Sequence, residues 1–201
     1  MNYIIFDVET PNRRNDRICQ IAVISHREIG DKISVKEKVY LINPETNFEK
    51  ICIDIHGISE EDVIGEKTFE EIWENDLKEM FNGSIFVAHN APFDIRVLQK
   101  TLAFYNINIP NFESICTVQL SKQIFPSLSN HQLITVAKHL GFNLEKHHDA
   151  KYDARAAYEI FLHAKKRFPE ILIRNKKPQE ETKKKKPHKE TKKKVFFTPI
   201  R

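Results

Sequence analysis

The chain has little with which to build a disulfide-stapled or membrane-spanning molecule. Its three cysteines, Cys19, Cys52 and Cys116, are scattered and odd in number, with no C-x-x-C spacing. That excludes a disulfide framework and a zinc knuckle, and reads as buried thiols in a reducing compartment. No apolar run approaches the ~20 residues of a membrane span, and Asp7 interrupts the N-terminal apolar stretch before it could serve as a signal h-region. The expectation is therefore a soluble, cytoplasmic protein with no membrane partner. With only 5 glycines and 40% hydrophobic residues in 201, disorder of the whole chain is excluded, and the length suits about one domain with a sizeable core.

What the sequence does have is an uneven charge. The formal net charge is +4, but Asn175–Arg201 alone holds ten lysines and one arginine against three glutamates, so residues 1–174 carry −4. The expected organisation is a folded domain over 1–174 and a solvated, disordered, lysine-rich tail over 175–201. Such a tail suits an electrostatic arm for phosphate backbones, since each lysine near a polyanion releases counterions; a plain solubilising tail suits it equally. The tail ends in VFFTPIR, whose apolar residues have no core of their own and read as a short partner-binding peptide.

Three β-rich runs come first, at 2–8, 17–25 and 33–42, separated by turn-like clusters, and predict an antiparallel meander. The period then changes. TFEEIWENDLKEMF (68–81) places Phe69, Ile72, Trp73, Leu77, Met80 and Phe81 on one helical face, with Thr68 as cap. A short strand at 84–89 precedes a helix opened by Asn90 and Pro92. Further helices are expected near 117–125, 130–140 and 149–167. Strands first, then strands alternating with helices, argue an α/β domain on a mixed sheet.

Against this frame, three groups of acids stand out. In IIFDVET (4–10), alternation puts Tyr3, Ile5, Asp7 and Glu9 on one side of a strand that is otherwise apolar on both faces. An unpaired buried carboxylate is expensive, so the strand end must be open to solvent or flanked by a cation. Asp94 falls in the first turn of a helix, where the helix dipole alone favours an acid. On the helix opening near Asp149, the stripe Ala150, Ala154, Ala157, Tyr158 and Phe161 must face the body. Asp153 lies on its edge and points inward, whereas His148 reaches the same place only from the preceding loop.

Each group alone is a weak signal, but their order and spacing are not. FDVET, HNAPFD and His148-x-x-x-x-Asp153-Ala-Arg resemble the three motifs of the DEDDh exonucleases, the DnaQ-like branch of the ribonuclease H-like superfamily. IHGIS (55–59) and SNHQLITVAKHLGF (129–142) strengthen the likeness, which covers about residues 1–170 and is similar to bacterial proofreading exonuclease subunits. The resemblance implies a ribonuclease H-like fold with a mixed five-stranded sheet, antiparallel then parallel, flanked by helices. It implies two Mg²⁺ or Mn²⁺ ions on Asp7, Glu9, Asp94 and Asp153, hard oxygen ligands suited to such cations, with His148 as general base on the attacking water. Thr10, His56, Ile58, Asn90 and Phe93 would hold the substrate end. The implied reaction is 3′→5′ release of nucleoside 5′-monophosphates from single-stranded DNA or DNA 3′ ends in proofreading or repair, with a DNA polymerase subunit as candidate partner. RNA trimming and a non-catalytic nucleic-acid-binding module are the alternatives. One departure stands out: where the family continues E-T-T-G, this chain reads Glu9-Thr10-Pro11-Asn12, and Pro11 removes an N–H donor. Three arginines follow, Arg13, Arg14 and Arg17, either as phosphate contacts or as a solvated turn.

Overall fold

The computed structural model describes residues 1–178; the lysine-rich run and VFFTPIR lie outside them. β1 (Asn2–Glu9), β2 (Gln20–Ile29) and β3 (Lys32–Leu41) form the expected antiparallel meander. β4 (Ile85–Ala88) and β5 (Glu113–Cys116) then add in parallel beside β1. Residues 177–178 form β6, antiparallel to β5, so the sheet has six strands in the order β3-β2-β1-β4-β5-β6 where five were expected. The first residues of the expected tail are thus attached to the domain. Asn175 is buried and joins α8 (Pro169–Arg174) to α5 (Thr117–Ile124) through Ile171 O and Gln123.

Both faces of β1 are covered, and its alternation assigns each side chain to one layer. Tyr3 and Ile5, with Ala22, Ile24, Val87 and Ile115, pack under α5, α6 (Leu133–His139) and α7 (Ala150–Arg167). Ala150, Ala154, Ala157 and Ala164 are fully buried on α7, and these small side chains let the helix lie close to β1 and β2. Ile4, Phe6 and Val8 face the other layer, where Phe69, Trp73, Phe81, Phe86, Leu98 and Phe112 make an aromatic-rich core. There Phe86 and Phe112 stack with ring centroids 4.3 Å apart. Asp7 and Glu9 therefore emerge on the α7 side of the sheet.

The helix expected over 68–81 opens as predicted, with Thr68 and Glu71 in a reciprocal capping box. It is not continuous: α2 (Phe69–Ile72) passes through a π-helical turn (Trp73–Leu77) into α3 (Lys78–Phe81). Asn75 explains the break, because its side chain donates to the Glu71 carbonyl at 2.7 Å and competes with the backbone for that acceptor. α1 (Lys50–His56) was not anticipated; it lacks a side-chain N-cap, the signal by which a short helix is read from sequence. Among the described residues no helix is long and apolar enough to cross a membrane.

Candidate active site

The C-terminal ends of β1 and β4 and the N-terminal ends of α4 (Ala91–Phe104) and α7 meet at a crevice of about 840 Å³. Asp7, Glu9, Thr10, His56, Asn90, Phe93, Asp94, His148 and Asp153 all line it. Oxygens of Asp7, Glu9 and Asp153 lie within 4.8 Å of one another. Asp94 is buried at the start of α4, where the backbone N–H groups of Val8 and of its own residue partly offset the effect of burial on its carboxyl. Asp149 caps α7 by accepting from Lys151 N, and that cap sets the helix so that Asp153, one turn in, faces β1.

The electrostatics are those of crowded, uncompensated anions. Burial and then repulsion from Asp94, Glu9 and Asp153 push Asp7 well above the usual carboxylate range. Burial and then Asp153 raise Glu9 to about 8, and burial above all raises Asp94 to about 8. Asp153 is also raised by burial, although N–H groups of His147 and His148 partly offset it. Buried carboxylates that favour one proton over ionisation are the signature of a missing countercharge. A cluster of hard oxygen donors open to a crevice fits a divalent cation of the Mg²⁺ or Mn²⁺ kind.

His148 does approach Asp153 from the loop, in a left-handed conformation with φ 65°. Its backbone N–H donates to Asp153 Oδ2 at 3.1 Å. The side chain that bonds Asp153 is that of His147, whose Nδ1 lies 3.2 and 3.1 Å from Oδ1 and Oδ2. The two imidazoles stack at 3.9 Å, and a ring nitrogen of each lies within 4.8 Å of an Asp153 oxygen. His147 leaves no trace in the sequence pattern beyond the His-His doublet itself.

Several expected substrate contacts are relocated or re-employed. Ile58 is not in the crevice: Gly57, at φ 78°, ends α1 and turns the chain inward, so Ile58 joins Cys19 and Val63 in a small core. Ile55, half-exposed on α1, lines the crevice in its place. His56 accepts Ile58 N–H at Nδ1 and so donates from Nε2 to Thr10 O, 3.1 Å away. Both ring nitrogens are thus occupied in holding the turn after β1. Asn90 stands at the N-cap of α4 in the left-handed region (φ 71°), and its side chain makes no cap; its carbonyl accepts Phe93 N–H at 2.8 Å. His89, also unanticipated, bridges Thr117 Oγ1 and His131 O, and burial lowers it to about 4, which keeps it neutral.

The Pro11-Asn12 departure turns out to be a built joint. Asn12 is buried and donates to Asn47 O at 2.9 Å, while Pro11 O accepts Glu49 N–H at 2.8 Å. Arg13 pairs with Glu49, Arg14 bonds Thr46, and Arg17 lies 3.2 Å over the Phe104 ring. The arginines pin the turn to its neighbours, so it is not a freely solvated one.

With this geometry in place, comparison with known proteins is direct. A family model described as exonuclease matches residues 4–161. Over 172 residues the chain is 33% identical to a PolC-type DNA polymerase III of Clostridium perfringens, covering 84% of this chain and 11% of that protein. Over 165 residues it is 30% identical to the 3′-5′ exonuclease DinG of Bacillus subtilis, covering 80% of this chain and 17% of that protein. The chain thus spans between about a tenth and a sixth of the length of these relatives. Among solved structures, exonuclease X in complex with 5′-overhanging duplex DNA superposes with a TM-score of 0.60 at 25% identity, covering 81% of this chain and 92% of that one. Escherichia coli exonuclease I in complex with a dT13 oligonucleotide shares the fold, with a TM-score of 0.72 at 16% identity over 86% of this chain and 43% of that one. The match across nearly the whole described chain, with the acids of all three motifs gathered at one crevice, leads to one conclusion: the chain belongs to the exonuclease family, as a DEDDh-type, DnaQ-like 3′→5′ exonuclease domain.

Proposed function

We propose that this domain removes nucleoside 5′-monophosphates from the 3′ ends of DNA, using two Mg²⁺ or Mn²⁺ ions held by Asp7, Glu9, Asp94 and Asp153. The observation that carries the reading is the cluster itself: three carboxylates within 4.8 Å, all raised by burial and Asp7 and Glu9 also by neighbouring acids, with His147 and His148 partly offsetting this at Asp153. Two such ions, when bound, supply Lewis-acid stabilisation of the attacking and leaving oxygens in an in-line displacement at phosphorus.

The chain's own residues do the rest. Asp7 and Glu9 are fixed by the β1–β2 register, and Asp153 by α7, so the ligand atoms are preset by rigid elements. His148 takes the proton from the attacking water. Burial first and His147 second hold its imidazole below the ordinary value, so it is neutral and able to accept near neutral pH. His147, bonded to Asp153, orients that carboxylate. Asn90, Phe93 and Thr10 border the space for the terminal nucleotide; stacking on an aromatic ring gains about 1–3 kcal/mol without regard to base identity. The setting is cytoplasmic DNA proofreading or repair, with a polymerase as candidate partner; the PolC-type relatives support it.

The test is digestion of matched 5′-labelled single-stranded DNA and RNA with Mg²⁺, Mn²⁺ or EDTA, with Asp7→Ala as the blank. A metal-dependent ladder shortening from the 3′ end of DNA is expected. Faster shortening of RNA would assign an exoribonuclease, and binding with no ladder on either polymer would leave a non-catalytic binding module.

A further inference from the structure

Beside the acidic crevice a second groove, of about 500 Å³, opens between α4, α5 and the β5–β6 edge, and the two share Asn90 and Val118. Their chemistry is opposite. The second groove has an apolar floor at Phe112 and Ile95, presents Arg96, Lys177 and the Gln119 amide, and has no aspartate or glutamate in its lining. Arg96 and Lys177 are exposed, and among the described residues neither makes a salt bridge. In a body, residues 1–178, of net charge −2 this is a cationic path leading out of an anionic site.

The strand register gives the path a direction. β5 lies parallel to β4, so its Cys116 end is level with Ala88 and the crevice, while its Glu113 end lies away from it. β6 runs back along β5, pairing Lys177 with Ser114 and Pro178 with Glu113. The groove therefore extends from the crevice to the place where Pro178 leads into the rest of the chain. The sequence beyond that point, residues 179–201, holds eight lysines and one arginine against three glutamates.

We propose that this groove carries the single nucleic-acid strand that trails from the terminal nucleotides in the crevice, with Arg96 and Lys177 on its phosphates. The proposal rests on the exonuclease reading of the crevice. A polyanionic strand fits better than a peptide of the chain's own cationic end, because the groove's free charges are positive. The apolar floor suits base faces, which stack without sequence preference.

The experiment compares the full chain with its Arg96→Glu/Lys177→Glu variant on two substrates, the p-nitrophenyl ester of thymidine 5′-monophosphate and a twelve-nucleotide oligothymidylate. The ester fills only the crevice. Its hydrolysis should stay within about two-fold, while KM for the oligonucleotide rises about ten-fold or more and the salt dependence of binding becomes shallower by about two counterions. Equal effects on both substrates, or unchanged oligonucleotide KM and salt slope, would overturn the proposal. Fluorescence anisotropy of the labelled oligonucleotide in EDTA gives a readout independent of turnover. If the wild-type chain hydrolyses neither substrate but the variant still loses affinity, the exonuclease reading fails while the groove stands. If the loss of affinity disappears once residues 195–201 are deleted, the groove belongs to that segment and the proposal fails.

Discussion

Helix α7 carries two polar clusters on its buried side, and they are built on opposite principles. At its first turn Asp153 meets Asp7 and Glu9, acid against acid. Farther along, Tyr158 and Lys165 meet His26 and Glu28 of β2, and every charge there has a partner. His26 bonds Tyr158 OH at 2.8 Å and Glu28 at 3.0 Å, and Lys165 pairs with Glu28 at 2.8 Å. What burial the partly exposed Glu28 has pushes it up, but Lys165 and His26 outweigh that, and Glu28 lies below the usual range while the more deeply buried Glu9 lies near 8. The two carboxylates share a helix and a sheet but differ twice over: Glu9 is the more deeply buried, and Glu28 alone has a countercharge. A fold that pairs the partly exposed carboxylate and leaves the more buried ones crowded a few turns away supports the reading of the second place as a ligand site.

The sharpest way to break this comparison is to remove one acid from each cluster. Asp7→Asn should cut turnover by about three orders of magnitude, since metal clamping supplies several kcal/mol to the transition state. The same change should raise the melting temperature in EDTA at pH 8, because it removes a repelling charge. Glu28→Gln should do the reverse, leaving turnover near wild type while costing about 1–2 kcal/mol for a partly exposed charge-assisted network. Calorimetry and steady-state kinetics on both variants check this, and an Asp7→Asn protein less stable than wild type in EDTA would contradict it.

Proton linkage gives the next largest effect. Raised carboxyl pKa values mean that the native state binds more protons than the unfolded state between the ordinary carboxylate value and about 8. Stability conferred by the protonated forms is then full below about pH 4 and declines as pH rises through 8, in the absence of metal. A cation at a hundred times its dissociation constant restores about 2.7 kcal/mol, or roughly 5–10 °C at this size. Melting curves at pH 5 and pH 8, with EDTA and with Mn²⁺, should show the metal effect mainly at pH 8.

The histidines separate less widely. His148→Ala should lower kcat by about a hundred-fold or more, the usual worth of a general base, and abolish a pH profile that rises below the ordinary imidazole value. His147→Ala should lower it by about ten-fold with the profile kept, as expected for a residue that orients Asp153 rather than taking a proton. If His147→Ala removes the pH dependence, the two roles are exchanged. Smallest of all, Thr68→Ala should cost about 1 kcal/mol by undoing the capping box and leave turnover unchanged, because that helix packs into the aromatic layer and does not line the crevice.

How much of this was legible in the sequence follows from the range of each signal. Alternation in IIFDVET put Asp7 and Glu9 on one side of β1, and helical spacing put Asp153 on the inner edge of α7, because both patterns report side-chain direction within a single element. The parallel placement of β5 and the two-residue β6 left no periodic trace; four and two residues are too few to show one. His147 was invisible because a loop has no period, and the left-handed turn at His148 that brings its neighbour to Asp153 is a tertiary choice. Ile58 was misplaced for a similar reason: one glycine in the left-handed region reverses which side of the chain meets the crevice. Asn75 broke a regular heptad-like helix through its own side chain, an effect no hydrophobic pattern registers.

The central claim is that the Asp7, Glu9, Asp94 and Asp153 cluster is held open for divalent cations. Titration of metal-free protein with Mn²⁺, followed by calorimetry and by electron paramagnetic resonance of the free ion, addresses it without recourse to turnover. Two ions bound per chain at pH 7.5, with proton release and with both lost in Asp7→Asn, is the predicted result. No binding at millimolar Mn²⁺, together with 3′-end digestion that persists in EDTA, would contradict it.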